Sequence, residues 1–207
     1  MSLDSMVNTA ESLLGTAEGS ESHRAIIIDT YNHIEPLPRG YRVTMNDAWC
    51  AVFVTAVSRI SGNADAIPAE CGCPEMIRLF LKRGIPVGRR YPKRGDIIFY
   101  DWNGDKVADH VGIVQYVSDK GKVTTIEGNY SNSVKGRVID YNDHCIYGYA
   151  SPNYSTGKKT DDLLVWEQDA ITWAKAHNIS DGQRPRQAAT RAEVMQMLKN
   201  FEKECIK

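Results

Sequence analysis

The spacing of hydrophobic residues changes near residue 95, and this change limits the folds that the chain can adopt. Before it, apolar positions recur every three or four residues, which predicts helices at 4–15, 21–34, 48–61 and 74–83. After it, turn residues separate five short β-rich runs, namely "IIFYDW", "HVGIVQYV", "KVTTIEGN", "GRVIDY" and "CIYGYA". Such runs are typical of a meander of antiparallel strands. Helices followed by strands predict an α+β domain over residues 1–153.

A smaller second part follows this domain. Residues 154–162 are mostly small and polar, as in a linker. Residues 163–207 contain two amphipathic helices joined by a loop, and Thr190 with Glu193 forms a capping box at the start of the second helix. A helical hairpin this short buries little apolar surface, so we expect it to pack on another surface.

Composition excludes several classes of protein. The formal net charge is −1, with 42% hydrophobic and 25% charged residues, which argues against a dedicated nucleic-acid binder. The one dense basic cluster, "GRRYPKR" at 88–94, suits a solvated loop edge better than contact with an anionic polymer. No stretch approaches the ~20 apolar residues of a membrane span. The first residues also lack a cationic segment followed by an apolar one, so we expect cytoplasmic synthesis without a signal peptide.

The cysteine pattern bears on redox state and on metals. The chain has five cysteines, so at least one is unpaired within it, which suits synthesis in a reducing compartment. "CGC" at 71–73 suggests zinc, but no second Cys/His pair follows at a suitable distance. Structural or incidental thiols are therefore favoured there, and we predict neither a metal nor a cofactor.

Cys50 lies within the segment "NDAWCAVFVTAV". Asp47 or Asn46 can cap the helix that follows, which places Cys50 in its first turn. The positive end of the helix dipole lowers a thiol pKa there, so Cys50 is a candidate nucleophile. The alternative is an inert cysteine in an apolar helix.

A nucleophilic cysteine needs a base, and the base needs a group that orients it. Of the five histidines, His110 alone opens an apolar strand. Of the others, His23 and His33 are expected on helical surfaces, His144 in a turn and His177 near a helix end.

Strand register predicts which groups accompany His110. If the turn "SDKG" pairs residue 117 with residue 122, His110 faces Asn129 and Glu127 is diagonal to it on the same side of the sheet. Gly112 shares that side and would leave room for the Cys50 helix to pack there. The four groups then meet, although a one-residue bulge would change this geometry.

Four segments resemble the CHAP domain, a papain-like family of cysteine amidohydrolases and peptidases that cleave peptidoglycan. They are "AWCAVFV", "KRGDIIFYDW", "DHVGIVQYV" and "TIEGNY", and the resemblance spans about residues 5–150. It implies that Cys50 is the nucleophile and His110 the general base and acid. Glu127 would orient His110, and Asn129 would assist by polarising or positioning. Some relatives carry a calcium site of alternating Asp residues before the cysteine. "YRVTMNDAWC" lacks that alternation, so we predict no calcium.

The C-terminal part resembles one S-layer homology repeat. "WEQDAITWAKAHNISDGQRP" and "ATRAEVMQML" carry this resemblance, which implies that Arg191 contacts an anionic secondary cell-wall polymer. Such modules usually act as three repeats, and this chain has one. Packing or homo-oligomerisation by the hairpin is therefore an equal alternative.

Together these resemblances predict a peptidoglycan hydrolase of the phage endolysin type, released to the cell wall after synthesis. It would act as an N-acetylmuramoyl-L-alanine amidase or as a peptide endopeptidase. Two alternatives remain: a papain-like amidase or peptidase acting on a non-wall substrate, and a non-catalytic wall-binding protein.

Overall fold

The computed structural model describes residues 2–154, 165–177, 179 and 191–205. The chain divides into two compact units, residues 1–157 and 158–207. The predicted linker, apart from Tyr154, lies outside the described residues, and so do Thr190 and the loop before it.

Helical segments occupy the first half of the larger unit, as the hydrophobic spacing predicts. They are α1 (Leu3–Ser12), a π-helical segment (His23–Ile28) that continues into α2 (Asp29–Asn32), a 3₁₀ turn (Pro38–Gly40), α3 (Cys50–Ile60) and α4 (Cys73–Lys82). A capping box between Ser2 and Ser5 begins α1. Pro74 lies in the first turn of α4, where its fixed φ suits a helix and its missing N–H costs no hydrogen bond.

Strands fill the second half of this unit. They are β1 (Val87–Gly88), β2 (Ile97–Tyr100), β3 (His110–Val117), β4 (Lys122–Glu127), β5 (Lys135–Asp140) and β6 (Ile146–Ala150). Within the described residues they form one antiparallel sheet in the order β1-β6-β2-β3-β4-β5. The predicted meander is therefore correct for β2 to β5. It is wrong for β6, which pairs with β2 and thereby covers the edge of β2 that a simple meander leaves open.

A β-bulge sets the register between β3 and β4. At the turn, Val117 pairs with Val123, so the predicted pairing of residues 117 and 122 is wrong. The register then shifts between Val114 and Tyr116, and Ile113 pairs with Ile126. This is the register predicted near His110, because the extra residue in the bulge offsets the longer turn.

The two faces of the sheet belong to different apolar clusters. Helix α3, buried from Cys50 to Ser58, shares the main core with Val111 and Ile113 of β3. A smaller cluster on the other face contains Ile98, Tyr100 and Val114. Since side chains alternate along a strand, His110 and Gly112 lie on the face of Val114, opposite α3.

The basic cluster at 88–94 is tied into the domain. Arg90 forms an ion pair of 2.7 Å with the buried Asp96, and Arg89 donates to the carbonyl oxygens of Asn142 and Asp143. Arg94 donates to the carbonyl oxygen of Gln115 at 2.8 Å. These arginines therefore hold loops and strand ends together, while Arg89, Tyr91 and Lys93 stay exposed as expected of a solvated edge.

The smaller unit contains α5 (Val165–Ala176) and α6 (Arg191–Cys205). The rings of Trp173 and Phe201 lie 6.4 Å apart, and α6 exposes Met195 and Leu198 to more than half of their surface. No described helix combines the length and the apolar composition that a membrane crossing requires.

Candidate active site

Cys50 is the first residue of α3, as predicted, but the predicted cap is wrong. Trp49 occupies the N-cap position, and no described side chain caps the helix. Asp47 instead accepts hydrogen bonds from the backbone N–H and hydroxyl of Thr44 and from the hydroxyl of Tyr41. The first N–H groups of α3 thus have no partner within the helix and lie beside the sulfur, where they can stabilise negative charge.

His110 contacts Glu127 across β3 and β4. Its Nε2 lies 3.0 Å from Glu127 Oε2, and the Glu127 side chain is fully buried. The bond to Glu127 engages Nε2 of the imidazole and leaves Nδ1 free, and Cys50 lies near enough to His110 to raise its pKa. The structure thus brings Cys50, His110 and Glu127 together in the predicted order.

Glu127 has three further hydrogen-bond donors that sequence reasoning missed. The hydroxyls of Tyr100 and Thr125 each donate to Oε1 at 2.6 Å. The guanidinium of Arg137 reaches both carboxylate oxygens, with Nε 3.0 Å from Oε1 and a terminal nitrogen 3.0 Å from Oε2. Arg137 pairs with Thr125 in the sheet, so a register extended to β5 would have placed it on this face. Four partners therefore hold the carboxylate in one orientation.

Aromatic rings enclose the guanidinium of Arg137. It lies 4.0 Å from the ring centre of Tyr130 and 4.9 Å from that of Trp102. Trp102 in turn stacks on Tyr100 with ring centres 4.7 Å apart. These contacts restrict Arg137 and add cation–π attraction to its ion pair with Glu127.

Charge in the site favours an ionised thiol. Burial alone lowers the pKa of His110, but its hydrogen bonds to Cys50 and Glu127 outweigh burial and raise that pKa to about 9. Burial would raise the pKa of Glu127, yet the bonds from His110 and Arg137 lower it to about 2. A hydrogen bond from Cys73, together with His110, lowers the pKa of Cys50 well below its usual range. Both shifts favour a thiolate–imidazolium pair over a neutral thiol and a neutral imidazole.

Cys73 is an unexpected neighbour of Cys50. Its Sγ lies 3.6 Å from the Sγ of Cys50, and both side chains are buried. Each cysteine is the first residue of its helix, so the N-termini of α3 and α4 converge on one pair of sulfurs. The "CGC" segment thus places a thiol against Cys50, and its spacing contains no signal that would have revealed this.

Helix α3 approaches the sheet at a different glycine from the one predicted. A Cβ on Gly112 would lie 2.6 Å from Cγ of Glu127, so this glycine makes room for the carboxylate and not for the helix. The close approach occurs at Gly128, where a Cβ would lie 2.7 Å from Cγ of Phe53. Helix α3 thus packs on the face opposite His110, and Cys50 reaches His110 at the end of β3.

Asn129, Arg191 and His23 were also considered in the sequence analysis. Asn129 is separated from the end of β4 by Gly128 and has a φ of 58°, and its side chain makes no hydrogen bond to any described residue. Arg191 begins α6, but its side chain lies outside what the structure describes. His23, expected on a helical surface, is instead fully buried with its ring 4.5 Å from that of Trp49.

A cavity of about 500 Å³ is lined by residues that precede Cys50 and Cys73 in the sequence. Its lining consists of Arg39, Tyr41, Val43, Asp47, Ala48 and Cys71. Across residues 2–154, 165–177, 179 and 191–205, no three His, Cys, Asp or Glu side chains are grouped to hold a metal ion.

Comparisons with known proteins cover the site segment. No curated protein matches the chain. Two similar solved structures are "The crystal structure of Ly7917", at 13% identity and a TM-score of 0.45, and Ly7917 "with the hydrolyzing product of MDP", with the same two values. The aligned regions cover 73% and 72% of this chain but 62% of each Ly7917 chain. Residues 40–129, which include Cys50, His110, Glu127 and Asn129, match the family model of the CHAP domain.

Proposed function

We propose that this protein is a cysteine hydrolase that cleaves an amide bond of bacterial peptidoglycan. The observation that carries the proposal is the His110–Glu127 hydrogen bond, with Cys50 under the electrostatic influence of His110, inside the segment that matches the CHAP domain. A thiolate, an adjacent proton carrier and a group that orients the carrier are the minimum for nucleophilic acyl transfer.

Acylation begins with the thiolate. Cys50 Sγ attacks the carbonyl carbon of the scissile amide, and the electron pair of the C=O bond moves to oxygen. The free N–H of Cys50 at the start of α3 can donate to this oxyanion. Collapse of the tetrahedral intermediate expels the amine, which takes the Nδ1 proton of His110. The products are a free amine and a thioester on Cys50.

Deacylation uses the same groups in reverse. Neutral His110 removes a proton from water as the water attacks the thioester carbonyl. The second intermediate expels the Cys50 thiolate and releases a carboxylic acid, which restores the thiolate–imidazolium pair. Glu127 keeps the imidazole oriented throughout, because its four hydrogen-bond partners allow it little movement.

Substrate contacts are assigned to groups near Cys50. Asn129 has an uncommitted side-chain amide and would polarise or position the substrate, since Nε2 of His110 is already bonded to Glu127. The cavity beside Ala48 and Cys71 would receive part of the peptide.

We further propose action of the endolysin type, in which the enzyme reaches the wall after synthesis and the C-terminal hairpin assists. Arg191 would contact an anionic wall polymer if the hairpin binds the wall. The exposed apolar side chains of α6, including Met195 and Leu198, favour packing or self-association as its second possible role.

Substitution of the nucleophile tests the chemistry. Cys50→Ala should abolish the loss of turbidity of purified cell walls, whereas Cys145→Ala, a matched change at another buried cysteine, should retain it. A thiol-reactive probe at neutral pH should label Cys50 in the unmodified protein before it labels Cys145. Full lysis by Cys50→Ala would contradict the mechanism, and a wall-binding protein without lysis would support the non-catalytic alternative.

The fragments released from digested cell walls identify the bond that is cleaved. An amidase releases stem peptides with a free L-alanine amine, whereas an endopeptidase creates new amines within the peptide. Mass spectrometry of digested walls separates these outcomes. Absence of both products, together with turnover of a peptide unrelated to the wall, would favour the non-wall alternative.

A further inference from the structure

The contact between Cys50 and Cys73 has a chemical use beyond amide hydrolysis. Their sulfurs are 3.6 Å apart, and a disulfide bond needs about 2.05 Å, so an approach of roughly 1.6 Å would join them. Each cysteine stands at a helix start, where rotation of the side chain moves the sulfur without breaking a helical hydrogen bond.

We infer that Cys73 is a redox-modification site: a resolving thiol that captures the oxidised nucleophile as a reversible Cys50–Cys73 disulfide. This inference rests on the proposed function in so far as Cys50 is taken as the nucleophile. The modified enzyme would be inactive, because its attacking sulfur is bonded, and protected, because a disulfide resists further oxidation.

The chemistry requires an oxidant, which we take to be a peroxide. The Cys50 thiolate attacks one peroxide oxygen, the O–O bond breaks, and Cys50 becomes a sulfenic acid as hydroxide leaves and takes a proton from the imidazolium of His110 to form water. Cys73 then loses its proton, and its sulfur attacks the sulfur of Cys50. The S–O bond breaks, the hydroxyl leaves as a second water with that proton, and the disulfide forms. A dithiol reductant reverses the step and is itself oxidised to a disulfide.

The environment of the pair gives each cysteine a different role. His110 contributes to the lowered pKa of Cys50, which favours negative charge on Cys50, the thiol that reacts with peroxide. The hydrogen bond to the Cys50 thiolate and burial raise the pKa of Cys73 far above its usual range. Conversion of Cys50 to a neutral sulfenic acid removes that negative neighbour. Cys73 then deprotonates more readily at its helix N-terminus, so resolution follows oxidation.

Neighbouring cysteines supply matched controls. Cys71 is two residues from Cys73, but its thiol contacts the guanidinium of Arg39 at 3.1 Å. Cys145 is buried in the separate apolar cluster on the face of the sheet that carries Tyr100. Neither should form the disulfide with Cys50.

The test treats the full chain with hydrogen peroxide and maps its peptides by mass spectrometry without reduction. We expect a Cys50–Cys73 peptide, a more than tenfold loss of wall lysis, and recovery of both after dithiothreitol. Cys145→Ser should behave in the same way, and Cys71→Ser should form the same Cys50–Cys73 peptide. Cys73→Ser should form no such peptide, and its peroxide inactivation should resist dithiothreitol because Cys50 proceeds to the sulfinic acid.

The outcomes separate this inference from the proposed function. Inactivation by peroxide without a Cys50–Cys73 peptide overturns the inference, as does dithiothreitol-reversible inactivation of Cys73→Ser. The disulfide is measured by mass, so it can form even in a protein without lytic activity. Disulfide formation together with full lysis by Cys50→Ala would leave the modification site standing and refute the proposed function alone.

Discussion

Removal of the Arg137 guanidinium tests how much the buried Glu127 cluster contributes to stability. Arg137→Met keeps much of the length and apolar contact of the side chain but leaves the fully buried carboxylate without its permanent cation. Breaking a buried ion pair by removing one partner costs about 3–5 kcal/mol. Arg137 is 21% exposed, and Glu127 keeps His110, Tyr100 and Thr125, so we expect a loss of about 2–4 kcal/mol in the free energy of unfolding.

The assay is urea and thermal unfolding of the variant beside the unmodified protein. For a chain of this length the expected loss corresponds to a midpoint about 5–15 °C lower. Arg78→Met is the matched control, because Arg78 forms an exposed helical pair with Glu75 and should cost no more than about 0.5 kcal/mol.

The pH dependence gives this prediction a second readout. The pKa of Glu127 is lowered from 4.5 to about 2, so its contribution to stability is present above pH 4.5 and lost as the pH falls through about 2. Without Arg137 this pKa rises, and the difference between variant and unmodified protein should shrink on acidification below pH 4.5. If Arg137→Met loses less than about 1 kcal/mol of unfolding free energy at neutral pH, or only as much as Arg78→Met, the reasoning is refuted.

Three further predictions concern the site and the domain division. Gly128→Ala should cost about 1–3 kcal/mol and reduce lysis, since the added methyl would overlap Phe53; unchanged unfolding would contradict the close approach of α3. Turnover of soluble wall fragments should fall as the pH rises through about 9, where His110 loses the proton that the leaving amine needs. Because the pKa of His110 is raised from 6.5, the contribution of His110 to stability should also be lost as the pH rises through about 9. Turnover that does not change with pH in this range would count against the ion pair. A chain ending at Gly157 should still cleave soluble fragments but lose potency on intact walls or change its oligomeric state, and loss of turnover in a folded truncation would refute the division.

Several features were predictable because they depend on local sequence. The change from helical to strand spacing near residue 95 reflects which side of each element is buried, and the structure confirms the resulting order of helices and strands. Cys50 was placed in the first turn of a helix, which the structure confirms, although the reason given for it, a cap by Asp47 or Asn46, is wrong. His110 was identified because it is the histidine that opens an apolar strand.

The register near His110 was predicted correctly although the turn was not. The prediction paired residues 117 and 122, whereas the structure pairs Val117 with Val123 and restores the register through a bulge. A bulge depends on how the strand packs on its neighbours, so the sequence of the turn alone cannot locate it. The cap of α3 was misassigned for a related reason, since Asp47 finds closer donors in Thr44 and Tyr41.

The sequence by itself determined the order of the elements, a cysteine at a helix start, and the histidine and carboxylate on one face of the sheet. The tertiary structure alone decided that α3 packs on the opposite face, that Arg137 neutralises Glu127, and that Cys73 touches Cys50. Periodicity reports which residues of one element are buried, because burial follows the repeat of that element. It carries no information on which distant elements meet, since that depends on the summed packing of the whole core.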